Sequence, residues 1–231
     1  MDSAEQTEQT RRFFEKAASG WAARYDSDAA IHRRKDRFLE AVSARYPQSA
    51  DVLDFGCGSG DITLYLAGAG HRLTGYDLSP AMIGQAVRAD RDRIVRWASQ
   101  ASDVPDILPF ADASFDVVVA SSVLEYVAEL DLTLRQIARV LRPGGWLFAT
   151  VPDMRDHFRR RERWLQLVLA IPGMTSLLSR SRWSEGVAYL RISTNRMTPE
   201  TWRCVLNRSG LDLEDFAETT DPLLLLAACK A

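Results

Sequence analysis

The feature that most constrains the fold is the run "DVLDFGCGSGDITLYLAGAGHRLTGYDLS", residues 51–79. It opens with a short apolar segment that stops at Gly56. Gly58 and Gly60 follow closely, then a helical pattern, then a second apolar segment ending on Gly75-Tyr76-Asp77. A short buried strand, a glycine turn, a helix and a second strand make one βαβ unit, which requires a parallel sheet.

The rest of the chain continues that rhythm. Ser79 before Pro80 reads as an N-cap with proline in the first turn of "PAMIGQAVRA". "FDVVVASS" is β-branched enough to be a strand buried on both faces. "LTLRQIARVL" is an amphipathic helix, "PGG" a turn and "WLFATV" a further buried strand. "TPETWRCVLNRSG" reads as a capped helix and "LLLLAACKA" as a final strand. Upstream, Phe13, Phe14, Ala17, Ala18 and Trp21, and later Phe38, Leu39, Val42 and Tyr46, recur at helical spacing and predict two leading helices.

The expected architecture is a doubly wound α/β domain. Its mostly parallel sheet has seven strands, the last pair antiparallel. Residues 1–47 form a helical cap, 48–152 the ligand-binding core, 153–197 an inserted lid, and 198–231 the closing helix and strand. Residues 153–196 hold nine arginines against four acids, whereas the whole chain carries a net charge of −2. That overall charge gives no electrostatic case for nucleic acid. Cys57, Cys204 and Cys229 have no metal-ligand spacing, so no metal is expected. A sparse, odd set of cysteines and a polar first segment, "MDSAEQTEQTRRFF", lead to the expectation of a cytoplasmic protein.

The glycine spacing selects the ligand. A dinucleotide turn needs G-x-G-x-x-G, and its third position falls here on Asp61. No Gly-Lys-Ser/Thr follows, which excludes a P-loop. Asp54, two residues before the first glycine, would repel a pyrophosphate and favour a cationic nucleoside. S-adenosylmethionine, with its ammonium and sulfonium and no phosphate, has that chemistry. Asp77 follows Asp54 by 23 residues at the end of the second strand, where an acid accepts ribose hydroxyls.

"VLDFGCGSG", "GYDLSPAMI", "LPFADASFDVVVASSVLEYV" and "ARVLRPGGWLFATVP", in that order, resemble the successive motifs of class I S-adenosylmethionine-dependent methyltransferases. The similarity is to the small-molecule group that includes ubiquinone/menaquinone-biosynthesis-type enzymes. It covers residues 51–152 well and the C-terminal helix and strand loosely. The resemblance implies that Asp54, Gly56, Cys57 and Gly58 run beside the methionine part of the cofactor. It further implies that Asp77 holds the ribose and that Leu78 and Met82 lie near the adenine. Asp103 and Val104 match the acid and backbone N–H that hold the adenine, within a segment that aligns two ways. Ser121 matches the position beside the reactive methyl, and Trp21 and Tyr25 an aromatic pair that closes over the cofactor. Members often read Leu-Glu-His where this chain has Leu124-Glu125-Tyr126, so a histidine base is not implied.

The implied activity is methyl transfer to a small molecule, at oxygen, on an anionic or amphipathic acceptor. No catalytic base is assigned; Tyr25, Tyr126 and His157 are candidates. Arg159, Arg160 and Arg161 are candidates to recruit an anionic acceptor, because the guanidinium fork bonds two oxygens at once. His71 and His32 read as surface residues. The segment from residue 157 to 178 has two readings. In one, Phe158, Leu165, Val168 and Leu169 pack a lid helix on the sheet domain; in the other, an interfacial helix meets a membrane or lipidic substrate. Two other functional classes stay open: a nucleic-acid methyltransferase, disfavoured by "SSVLEYV" after the fourth strand, and a cofactor-binding subunit without catalysis.

Overall fold

The computed structural model describes residues 2–26, 29–100, 107–169, 171, 184–218 and 222–231. The chain opens with α1 (Ser3–Asp26) and α2 (Ala29–Arg45). Then β1 (Asp51–Phe55), α3 (Asp61–Gly68), β2 (Arg72–Asp77), α4 (Pro80–Ala89) and β3 (Arg96–Ser99) follow. The second half runs β4 (Phe115–Ser121), a 3₁₀ turn (Leu124–Tyr126), α5 (Leu130–Val140) and β5 (Leu141–Pro152). It continues through α6 (His157–Leu169), α7 (Ser184–Ile192), α8 (Pro199–Arg208), β6 (Leu211–Glu218) and β7 (Leu223–Lys230).

Among the described residues, seven strands form one sheet in the order β3-β2-β1-β4-β5-β7-β6. The pairs β1–β2, β1–β4, β2–β3 and β4–β5 are parallel. β7 runs antiparallel between β5 and β6. The order reverses between β1 and β4, and a ligand crevice opens at the carboxyl ends of strands where such a reversal occurs.

Alternation along the strands sends the two faces of the sheet into separate cores. On one side Val52, Val117, Val119 and Phe148 pack against Phe38 and Val42 of α2 and Leu66 of α3. On the other, Leu53, Val118, Ala120 and Leu147 pack with Leu134 and Ile137 of α5 and Trp202 and Leu206 of α8. A strand buried on both faces reads as a continuous apolar run, as "DVVVA" does.

The local signals act as their chemistry requires. The Ser79 hydroxyl accepts from the Met82 backbone N–H at 3.3 Å, with Pro80 in the first turn of α4. The Thr198 hydroxyl accepts from the Thr201 N–H at 3.4 Å at the start of α8. The Pro143-Gly144-Gly145 segment differs from the expected turn. It lies within β5, where the register against β4 shifts between Phe115 and Val117, so it forms an irregularity in a strand that is already paired. His71 also differs from its surface reading. It is buried, its Nδ1 accepts from the Ala50 N–H at 3.2 Å, and burial holds its pKa below the ordinary value. His32 is exposed, as expected.

Phe148 is fully buried between the sheet and α2. Phe148→Ala should lower unfolding stability by about 3–5 kcal/mol, the range for emptying a buried phenylalanine site. Urea denaturation followed by circular dichroism measures it.

Candidate functional site

A cavity of about 380 Å³ opens at the carboxyl ends of β1, β2 and β4, roofed by α1 and flanked by α6 and α7. Its volume is that of a small-molecule site. The turn after β1 forms its floor. Gly56 and Gly60 adopt φ of +73° and +86°, a region that penalises any side chain. Space is also lacking: a Cβ on Gly56 would lie 2.3 Å from Val123 Cγ2, and one on Gly60 would lie 2.6 Å from the Trp97 ring. The glycines therefore let the turn press against its neighbours while its backbone faces the cavity.

Two carboxylates are buried at this floor. Asp54, near the end of β1, accepts from the Thr63 hydroxyl through Oδ2 at 2.6 Å, while its buried Oδ1 has no hydrogen-bond partner. Burial raises its pKa to about 7, against the Thr63 hydrogen bond and with help from Asp77 and Asp61. Asp77, at the end of β2, accepts from the Gly58 and Ser79 backbone N–H groups, both at 2.8 Å. Burial lifts it to about 6 despite those two bonds. A folded-state pKa above the unfolded one means that each carboxyl stabilises the ligand-free fold most as the neutral acid. That contribution is full below about pH 4 and fades as pH rises through about 6 for Asp77 and about 7 for Asp54. A cation placed beside Asp54 reverses the balance by favouring its ionised form.

The other expected cofactor residues converge on the same cavity. Gly56, Cys57, Gly58, Leu78, Met82 and Ser121 all line it. Burial, with Asp77 and Asp54, pushes the Cys57 thiol well above its ordinary pKa, so it stays protonated and is no nucleophile. Trp21 lines the cavity too, and its Nε1 lies 3.5 Å from where a Cβ on Gly58 would sit. It belongs to the roof of the site rather than to a helical core. Asp103, Val104 and the Tyr25 side chain lie outside the described residues.

The substrate-binding candidates lie on α6, at the far side of the cavity. Arg159, Arg160 and Arg161 are consecutive on α6, where each residue turns about 100° from the last. Arg159 and Arg161 therefore leave the helix in different directions. Arg159 lines the cavity, Arg161 is exposed to solvent, and the Arg160 side chain lies outside the described residues. Arg159 also takes part in an internal network. Its Nη1 donates to Glu162 Oε2 at 2.9 Å and to the Tyr189 hydroxyl at 3.1 Å. Arg196 donates to the same Glu162 oxygen at 2.5 Å, and Ser193 donates to Glu125 Oε2 at 2.5 Å.

The catalytic candidates fare unevenly. His157 is exposed and does not line the cavity. Tyr126 does line it, but burial, with Glu125 and Tyr189, pushes its pKa well above the ordinary phenol value. At neutral pH Tyr126 is a hydrogen-bond donor and not a base. Sequence reasoning passed over Thr10, Phe14, Glu125 and Tyr189, all of which line the cavity. Phe14 stands edge-on to both Trp21 and Tyr126, with ring centroids 5.5 and 5.2 Å apart. Thr10 precedes Phe14 by one helical turn, which was the available signal for a shared face.

Comparison with known proteins bears on this arrangement. A family model described as a methyltransferase domain matches residues 53–149. A ubiquinone/menaquinone biosynthesis C-methyltransferase of Shewanella sp. (strain ANA-3) is 30% identical over 217 residues, covering 89% of this chain and 85% of that protein. The chain belongs to the class I S-adenosylmethionine-dependent methyltransferases. Within that family it also resembles a malonyl-[acyl-carrier protein] O-methyltransferase of Pseudescherichia vulneris, at 37% identity over 131 residues. That match covers 56% of this chain, which spans about half (49%) of the relative's length. The fold agrees with that of Burkholderia thailandensis 1,6-didemethyltoxoflavin-N1-methyltransferase, solved with S-adenosylhomocysteine. The TM-score is 0.70 at 19% identity, covering 100% of this chain and 91% of that one. The family's cofactor is S-adenosyl-L-methionine, and the orphaned, buried Asp54 Oδ1 suits its ammonium.

Removing the shared acceptor of the lid network should loosen the lid. Glu162→Ala leaves the buried Arg196 and the partly buried Arg159 facing each other without their carboxylate, a change expected to cost about 3 kcal/mol. Hydrogen exchange should show faster opening of residues 184–196 and little change in β1, β4 and β5.

Proposed function

We propose that the protein transfers the methyl group of S-adenosylmethionine to an oxygen of a small acceptor that joins an anionic group to an apolar or aromatic part. The observation that carries this reading is the division of one cavity into two chemistries. Its floor holds two buried carboxylates and a glycine turn, its far side holds Arg159, two phenols and an aromatic ring, and Arg11 and Arg34 of the first two helices also line it.

In this reading Asp54 accepts from the cofactor's ammonium through its orphaned Oδ1, and the Gly56–Gly58 backbone runs beside the methionine part. Asp77 accepts from the ribose hydroxyls while its two backbone donors hold the carboxylate still. Leu78 and Met82 pack near the adenine, and Trp21 covers the cofactor from α1. Bound there, the cofactor supplies a methyl carbon made electrophilic by the adjoining sulfonium. Arg159, with Tyr189 and Tyr126, orients the acceptor's acidic group, and Phe14 packs on its apolar part. The roof of α1 excludes water, so the chain contributes mainly alignment and a dry site.

Proton chemistry favours a carboxylate or another acidic oxygen as nucleophile. Tyr126 and Cys57 both hold their protons at neutral pH. Glu125 also lines the cavity, and burial raises its pKa while Ser193, Arg159 and Arg196 oppose the rise. It is the group placed to take a proton from a hydroxyl acceptor. A carboxylate acceptor arrives ionised and needs no base. The names of the relatives include oxygen and carbon methylation of biosynthetic intermediates, and the small-molecule character of this reading agrees with them. A nucleic-acid substrate fits less well, because the cavity lies beneath α1 and the chain has a net charge of −2.

Three outcomes test the reading. Asp77→Ala should weaken S-adenosylhomocysteine binding by about 10- to 100-fold in calorimetry, the loss of charge-assisted bonds of roughly 1.5–3 kcal/mol. Unchanged affinity in a folded variant overturns the ribose assignment. The affinity of the unaltered protein should fall as pH drops below about 7, by up to about tenfold per unit, because protonated Asp54 no longer pairs with the ammonium. Arg159→Ala should raise KM for a carboxylate acceptor, assayed with labelled cofactor over a panel of aromatic and aliphatic acids. Its affinity for S-adenosylhomocysteine should stay within about twofold.

A further inference from the structure

Helix α6 is amphipathic in the inverted sense. Its inward face carries polar residues spaced three and four apart: Arg159, Glu162 and Gln166. Arg159 bonds Glu162 and Tyr189, Glu162 accepts from Arg196, and Gln166 Nε2 donates to the Leu190 and Ser193 carbonyls at 2.8 and 2.7 Å. The outward face carries the apolar residues. Trp164 is 71% exposed, Leu165 46%, Leu167 57% and Val168 38%, and Ile171 just beyond the helix is 53% exposed. On a helical projection Trp164, Leu167 and Val168 fall in one arc opposite Glu162 and Gln166, Leu165 lies at its flank, and Ile171 follows the helix end. A lid helix packed by its apolar side would show the reverse, so the expectation that Leu165 and Val168 pack on the sheet domain is not met.

The outward face is ordered along its length as well as around it. His157 and Arg161 lie on this side near the start of the helix and Arg163 flanks it, all three exposed; Trp164, Leu167 and Val168 follow, with Ile171 just past the helix end. Five large apolar side chains exposed within residues 164–171 exceed the scattered single exposures normal on a soluble surface. Cationic heads beside a tryptophan and branched aliphatics match the boundary between phospholipid headgroups and acyl chains. No helix among the described residues is long and apolar enough to cross a membrane, so the matching contact is one that lies on the surface.

We propose that the outer face of α6 docks this protein on an anionic lipid surface. Arg161 and Arg163 meet the headgroups, and Trp164, Leu167, Val168 and Ile171 enter the acyl boundary. A charged carrier protein fits the face less well, since its larger part is apolar. The inner face of the same helix supplies Arg159 to the cavity. Docking therefore sets the acceptor side of the site about one helix diameter, ~10 Å, from the lipid. The docking inference does not depend on which acceptor is methylated.

The full chain is sedimented with vesicles of equal parts phosphatidylglycerol and phosphatidylcholine, and with vesicles of phosphatidylcholine alone. Partition should be at least about tenfold stronger onto the anionic vesicles and should weaken as salt is raised, because exposed charges are screened over about 10 Å at 0.1 M. Trp164→Ser, Leu167→Ser and Val168→Ser together should reduce partition about tenfold or more. Their S-adenosylhomocysteine affinity and far-ultraviolet circular dichroism should match the unaltered protein. If that triple variant does not fold, Arg161→Ala with Arg163→Ala decides, and should remove the preference for anionic vesicles. Three results overturn the proposal: equal partition onto neutral and anionic vesicles, folded variants that partition like the unaltered protein, or a dimer in sedimentation velocity that the serine variant splits. The last would mean that a second copy of the chain covers the face.

Discussion

The site rests on two carboxylates held in low dielectric at the ends of neighbouring strands. Asp54 and Asp77 end adjacent parallel strands, β1 and β2, and each is pressed by burial toward its neutral form. Such a pair is an expense to the fold, and a cation placed beside it favours the ionised state. The glycine turn, the N-cap at Ser79 and the Thr63 hydroxyl all serve this pair. They supply the donors to Asp54 and Asp77, and Asp54 Oδ1 is left buried without a hydrogen-bond partner.

The lid follows a similar logic with charges of both signs. Counted along the chain, Arg159, Arg160 and Arg161 stand out as candidates for an anion. In the fold, Arg159 and Arg196 share Glu162, and Arg196 is almost completely buried. That network holds the Arg159 guanidinium in place at the cavity wall, and a group fixed in advance costs less to order when something binds. The same polar contacts turn the inner face of α6 toward α7 and send Trp164 and Leu167 outward.

The sheet was legible because its signals are local and mutually consistent. The glycine run, Ser79-Pro80, Thr198-Pro199 and the β-branched fourth strand each specify one element, and all agree with a single topology. Asp54 and Asp77 were legible because strand ends fix where such carboxylates lie. Glu125, Tyr189, Thr10 and Phe14 were not, since their meeting depends on how α1 and α7 dock over the crevice, and no spacing encodes that long-range packing. His71 misled for a related reason: a lone histidine before a strand carries no sign that its ring will accept from the Ala50 N–H. The helix over residues 157–169 was visible as amphipathic, but the side that packs is set by Glu162 and Gln166 bonding to α7.

Asp54 is a buried carboxyl with a raised pKa, and on the proposed function the cofactor's ammonium supplies its missing charge partner. That pKa can be measured by ¹³C NMR titration of labelled aspartate carboxyls, with Asp54→Asn to assign the resonance. The expected apparent pKa of Asp54 is near 7 without ligand and lower by at least about one unit when S-adenosylhomocysteine is saturating. A value near that of an ordinary aspartate, the same with and without ligand, would contradict that expectation.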